Sequence, residues 1–231
     1  MLTLAIETSG FQGSIALLEN ELCLEERPLE LGRQHGQTLL PEIQTLFRTH
    51  SRSPRHCGLV AVSVGPGSYT GLRVGVVCAK TLAWGARCRL VGVETLLAIA
   101  AQIPSSESEV VVISDAQRES VYLGRYARTI NSGMRQVAPI SVMSLSELAG
   151  QLTPTDLVCG PGLPKLTAAT PATFRTLSPE FQLPRAAMVG QLARRELAAG
   201  HEDSPMTLSP LYLRQSSAET QWDKLHGPAG G

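Results

Sequence analysis

Aromatic side chains are scarce in this sequence: two Trp, four Tyr and four Phe among 231 residues. The core must therefore be aliphatic, packed by Leu, Val, Ile and Ala. A charge excess is missing too, since twenty Lys and Arg balance twenty Asp and Glu. Such a balance does not advertise a groove that tracks phosphates, and direct RNA binding by this chain alone is disfavoured. The five cysteines, Cys23, Cys57, Cys78, Cys88 and Cys159, are odd in number and form no CxxC pair. Neither a disulfide framework nor a zinc site is expected from them. Most stand in apolar runs, where a thiol behaves as a small hydrophobe, and a reducing, cytoplasmic setting follows. No apolar run reaches the length of a membrane span. The N-terminus meets Glu7 early and has no basic residue ahead of its apolar segment, so it does not read as a signal peptide.

What is present is organised around Leu59 to Trp84. Leu59 to Val64 reads as a buried strand, stopped by Gly65-Pro66-Gly67-Ser68, a turn whose glycines permit positive φ and whose proline fixes the bend. Ser68 or Thr70 caps a helix expected to begin near Gly71. Gly71, Gly75, Ala79 and Ala83 recur every four residues, leaving one stripe almost bare. Val74, Val77, Cys78 and Leu82 form an apolar face beside it. The expectation is that the bare stripe faces outward and lets a partner helix approach closely.

Ahead of this unit, Leu2–Ile6, Ser14–Leu18 and Glu21–Glu26 read as three strands, the last two joined at Glu19-Asn20. Three antiparallel strands followed by helices match the opening of a ribonuclease-H-like or actin-like domain. Leu39, Leu40, Ile43, Leu46 and Phe47 recur at helical spacing. Pro41 belongs in a first turn, which places the helix start near Thr38. Leu90–Val93 is a short strand and Glu94–Gln102 a helix. Composition shifts at Ile103 to Ser108, the expected linker between a lobe of residues 1–103 and a second of 104–231. The second half echoes the first by pattern, with strands at Val110–Ser114, Ser120–Tyr126, Pro139–Met143 and Asp156–Cys159. It adds a turn at Asn131-Ser132-Gly133, a helix at Ser144–Leu152 and another at Arg185–Ala199 closed by Gly200. No literal repeat is evident, and a mobile tail is expected from about residue 218.

Chemistry is sparse. The Gly65 to Gly71 turn fails as a P-loop, because Thr70 stands where the second glycine is required, and a dinucleotide fingerprint would want glycine there as well. Glu7-Thr8-Ser9, with Gly10 and Gly13, is an acidic strand end followed by hydroxyls, the arrangement by which actin-like ATPases hold metal and phosphates. It reads equally as a polar hairpin tip. Asp115 and Glu119 flank a polar cluster, either as a site or as a turn in which Arg118 neutralises both acids. His35 lacks a second ligand four residues on, where Leu39 stands, so no metal site is expected. His50 and His56 read as loop residues without carboxylate neighbours. No nucleophile–base pair is evident at Ser68 or Cys57.

LAIETS with SIALLEN, RQHGQTLLPEI, VSVGPGSYTGLRVGVVCAKTLAWG, VGVETLLAIA, ISDAQRESVY and PLYLR run in order from Leu4 to Arg214. Together they strongly resemble the TsaB (YeaZ) family, which helps make threonylcarbamoyladenosine in tRNA. The resemblance implies a two-lobed actin-like ATPase fold, each lobe a mixed sheet flanked by helices. It also implies a non-catalytic scaffold that pairs with and activates a TsaD-like transferase and works with a TsaE-like ATPase. A homodimer in isolation and tRNA contact only through the complex are implied as well. The interface residues carried over are His35, Leu39, Leu40, Ile43, Phe47, Gly71, Leu72, Gly75, Val76 and Ala79. Glu7, Thr8, Ser9 and Asp115 become vestigial nucleotide-binding positions, with no cofactor beyond weak ATP–Mg or ADP–Mg. Glu7 stands where Asp is frequent, Tyr69 where Phe is frequent, and Gly36-Gln37 where Ser-Glu is usual. The rival expectation is a self-contained ATPase or kinase binding ATP–Mg at the Glu7–Ser9 hairpin.

Overall fold

The computed structural model describes residues 1–29, 35–130, 133–171 and 173–214. The first sheet has the order β3-β2-β1-β4-β5. Strands β1 (Leu2–Glu7), β2 (Ser14–Glu19) and β3 (Leu22–Pro28) are consecutive and antiparallel; β4 (Cys57–Gly65) and β5 (Arg89–Glu94) add parallel to β1. Because side chains alternate across a strand, Leu4 and Ile6 face helices α1 (His35–Thr49) and α2 (Tyr69–Ala86). Ala5, Ala16 and Ala61 face the opposite way, toward α6 (Ala186–Ala198). Small residues there let α6 sit close: a methyl on Gly190 would come within 2.6 Å of Leu18.

Helix α1 starts at His35 rather than near Thr38, and Pro41 lies inside it. Pro41 and Gln37 are both exposed, so the Gln37 carbonyl that loses its helical N–H donor belongs to a residue open to solvent. Helix α2 starts at Tyr69, two residues ahead of Gly71, with Ser68 as its N-cap accepting from the Gly71 amide.

A second sheet repeats the plan. Its order is β10-β9-β6-β7-β8, with β6 (Glu109–Asp115), β7 (Ser120–Arg128) and β8 (Met134–Ser144) antiparallel and β9 (Leu157–Cys159) and β10 (Arg175–Thr176) parallel additions. One face packs on α3 (Thr95–Ala100), the other on α4 (Leu145–Gln151) and α5 (Leu163–Ala169). Reading β1 to β5 against β6 to β10 gives the same connections twice, the two-lobed actin-like plan. A literal trace of the duplication does exist. Gly65-Pro66-Gly67 follows β4 and Gly160-Pro161-Gly162 follows β9, with φ +109° at Gly65 and +111° at Gly160. Each turn presses on the end of its lobe's first strand: a Cβ on Gly67 would be 2.5 Å from Ser9 O, and one on Gly160 2.2 Å from Ile113 O. The short α5 and β10 went unforeseen. The expected turn at 131–132 and the tail from 218 lie outside the described residues.

The assignment of 104–231 to the second lobe is corrected at its end. Helix α6 packs on β1, β2 and β4 of the first sheet. Residues 201–214 then return along the first lobe. Asp203 pairs with Leu90, its amide donating to Leu90 O at 2.8 Å and its carboxylate accepting from Gly92 N at 2.8 Å. Leu211 N donates to Val64 O at 2.7 Å. No helix among the described residues is long and apolar enough to cross a membrane.

Candidate functional site

Two regions concentrate the residues singled out by sequence: the α1–α2 pair and the β1–β2 hairpin. On α2 the small-residue stripe points inward, against expectation. Gly71, Gly75, Ala79 and Ala83 are all buried. A Cβ on Gly71 would lie 2.0 Å from Thr8 O, and one on Gly75 2.2 Å from Thr8 Oγ1. The close approach that the stripe permits is to the chain's own β1 end, where Thr8 Oγ1 donates to Gly71 O at 2.8 Å. Leu39, Ile43, Phe47, Leu72 and Val76 are likewise buried in the first lobe. The side chain of His35 lies outside the described residues. The outward surface is made of different residues: Leu40 on α1 is 57% exposed, and Val77 and Trp84 on α2 are 62% and 73% exposed. Of the ten positions carried over for an interface, Leu40 is the large apolar one that faces solvent.

At the hairpin, Glu7, Thr8 and Ser9 are buried. Glu7 Oε1 accepts from both the amide and the hydroxyl of Ser9, each at 2.5 Å. Ser9 O in turn accepts from Ser68 N at 2.7 Å, tying the hairpin to the turn before α2. These bonds tie the hairpin to itself and to the turn that opens α2. Asp115 is half-exposed and stands apart from this set; its partners are Lys165 Nζ at 3.0 Å and the Gln117 amide at 2.7 Å. Arg118, expected as its neutraliser, sits in a run of three left-handed residues, Gln117, Arg118 and Glu119. Of the two histidines read as lacking a carboxylate neighbour, His50 is corrected. His50 Nε2 meets Glu25 Oε2 at 2.9 Å, and His56 Nδ1 accepts from Ser53 N at 3.1 Å. Among the described residues no group of three or more His, Cys, Asp or Glu is placed to hold a metal ion.

A cleft of about 320 Å³ separates the hairpin residues Gln12 and Ser14 from Pro184 and Arg185. Its back wall holds Glu26, which accepts from Ala187 N at 3.1 Å and from Arg185 Nε at 2.8 Å. The start of α6, a place where an anion would be favoured, is already served by that carboxylate.

Sequence reasoning missed Glu94. This carboxyl caps α3, accepting from Leu96 N at 2.5 Å and Leu97 N at 3.0 Å, and also accepts the Tyr126 hydroxyl from the second sheet. Burial raises its pKa to about 7, against the lowering effect of those bonds. Burial, and then the neighbouring Glu94, push the Tyr126 phenol upward. The signal was an acid one residue before an apolar helical run, the position of a cap.

Comparison with known proteins places these features. The family model described as TsaD, tRNA N6-adenosine threonylcarbamoyltransferase, matches residues 26–222. The chain is 31% identical to the tRNA threonylcarbamoyladenosine biosynthesis protein TsaB of Bacillus subtilis (strain 168), over 96% of this chain and 98% of that one. It is 30% identical to the TsaB protein of Escherichia coli (strain K12), over 98% and 99%. Among solved structures, YeaZ from Pseudomonas aeruginosa superposes with a TM-score of 0.81 at 25% identity, covering 92% of this chain and 99% of that one. The matches span the first sheet, the outward α1–α2 pair and the returning 201–214 segment alike, and the chain belongs to the TsaB family of tRNA threonylcarbamoyladenosine biosynthesis proteins.

Proposed function

We propose that this chain is the non-catalytic scaffold of threonylcarbamoyladenosine synthesis, pairing with and activating a TsaD-like transferase through the outer face of α1 and α2. The observation that carries the reading is the exposure of Leu40, Val77 and Trp84 on adjacent helices whose other faces are fully packed. Val77 and Trp84, seven residues apart, share one side of α2; large apolar side chains exposed together mark an interaction surface, and a Trp is a side chain prone to anchor one. The same face serves a homodimer when the transferase is absent. A TsaE-like ATPase then joins the pair, and tRNA is met through the assembly. No cofactor is assigned to the chain.

The buried hairpin supports the absence of catalysis. Glu7 engages the Ser9 amide and hydroxyl, groups that a phosphate-holding hairpin would turn toward ligand. An ATPase of its own would need them released. The test is calorimetric titration of the cognate transferase into wild type and Trp84→Ala, with ATP–Mg turnover of the isolated chain measured alongside. Tight wild-type binding, about thirtyfold weaker binding by the variant and no turnover are expected. Unchanged affinity in Trp84→Ala removes this face from the pairing, and turnover by the isolated chain restores the ATPase.

A further inference from the structure

The returning segment, residues 201–214, touches more of the molecule than a chain end needs to. Leu208 packs into the cluster beneath α1 and α2, while Leu213 packs into the cluster beneath α3 and the second sheet. Its Leu208 carbonyl accepts Lys80 Nζ of α2 at 2.9 Å. Tyr212 stacks on Tyr69, in the first turn of α2, with ring centroids 4.7 Å apart. Arg73, one turn further along α2, lies 4.2 Å over the Tyr69 ring and donates Nε–H to Tyr212 Oη at 3.1 Å. Two residues on, Arg214 Nη1 donates to Ala116 O at 2.5 Å and to Gln117 O at 3.4 Å. Those carbonyls form the base of the β6–β7 turn, whose Gln117, Arg118 and Glu119 hold φ of 62°, 47° and 56°, a conformation that costs non-glycine residues energy and persists only when held in place.

The segment therefore grips the first turns of α2 with one residue and a strained turn of the other lobe with the next but one. We propose that residues 201–214 act as a strap that sets the position of α2 for partner docking, with Tyr212 as the positioning residue and Arg214 as its anchor on the second lobe. The proposal rests on the docking face assigned above. Val77 and Trp84 follow Arg73 along the same exposed side of α2, so a shift of the first turn carries through a rigid helix to the apolar residues. Seating of the second lobe and affinity for the transferase are then linked through one short segment, and linkage is reciprocal. Partner binding must tighten the strap by the factor with which the strap tightens partner binding.

The experiment is titration of the transferase into wild type, Tyr212→Ala, Tyr212→Phe and Arg214→Ala. Hydrogen exchange at the Leu211 amide is followed with and without partner. Tyr212→Ala is expected to bind about tenfold more weakly, and its exposed position keeps the fold intact. Tyr212→Phe retains the ring stack but loses the bond to Arg73, and falls between it and wild type. Arg214→Ala weakens binding although it touches no part of the docking face. Exchange at Leu211 slows on complex formation by a factor similar to the affinity lost in Tyr212→Ala. Wild-type affinity in both Tyr212→Ala and Arg214→Ala, or unaltered Leu211 exchange in the complex, overturns the strap. Failure of the wild-type chain to bind at all overturns instead the scaffold reading beneath it.

Discussion

A methyl group at Gly71 would lie 2.0 Å from the Thr8 carbonyl oxygen, and a backbone atom cannot move aside as a side-chain end can. Gly71→Ala is therefore expected to destabilise the fold by about 2–3 kcal/mol, read as a lowered urea midpoint. Gly85, in the same helix with nothing within 4 Å of its missing Cβ, is the control; alanine there should be neutral or stabilising by up to ~1 kcal/mol. Equal losses at the two positions would contradict the inward stripe. Spacing alone shows which α2 residues share a side. It does not show which side meets the sheet, because Val77 and Trp84 look as apolar in sequence as Ala79 and Ala83 do.

Glu94 yields the second prediction at this scale. Its carboxyl is raised from 4.5 to about 7 by burial, so the folded state favours the protonated form. The contribution is fully present below pH 4.5 and is lost as the pH rises through about 7. Between pH 5 and pH 8 the wild type should lose up to ~3 kcal/mol that Glu94→Gln does not lose. Denaturation curves of both proteins at the two pH values measure it; parallel behaviour would remove the burial argument. Neither the Tyr126 contact nor the Lys165–Asp115 pair was legible, since each joins residues at least 32 positions apart. Local pattern carries no information about such meetings.

Among elements, two helix caps were legible because capping is local chemistry, although the starts of α1 and α2 were misplaced by two or three residues. Ser68 on α2 and Ser144 on α4 both accept from the amide three residues ahead. Ser68→Ala should cost about 1 kcal/mol and speed hydrogen exchange in the first turn of α2. An unchanged melting temperature would mean that Thr8 and Tyr212 already hold that turn without the cap. Short parallel additions such as β10 lack the length to show a period. Pro41 misled because proline is favoured in a first turn but not confined to it, and here it lies inside α1 on the exposed side.

For the molecule as a whole, the strand plan of each lobe could be read, but the return of α6 and the strap to the first sheet could not. Helix α6 gives the Ala5, Ala16 and Ala61 face its cover, and it arrives only after the second lobe has been made. The first lobe is therefore incomplete without the end of the chain. Calorimetry should show one transition, with calorimetric and van't Hoff enthalpies agreeing. Two resolved transitions would mean that each lobe stands alone.

The paired Gly-Pro-Gly turns carry one more consequence. The first launches a helix of 18 residues and the second a helix of only 7. On the docking reading proposed above, the long arm is the one handle by which this duplicated body is gripped. Association through one handle closes at two bodies, whereas a filament needs two different gripping surfaces on every member. On that reading, the shortening of the second arm suits this actin-like plan to closing on one partner and not to serving as a link in a polymer.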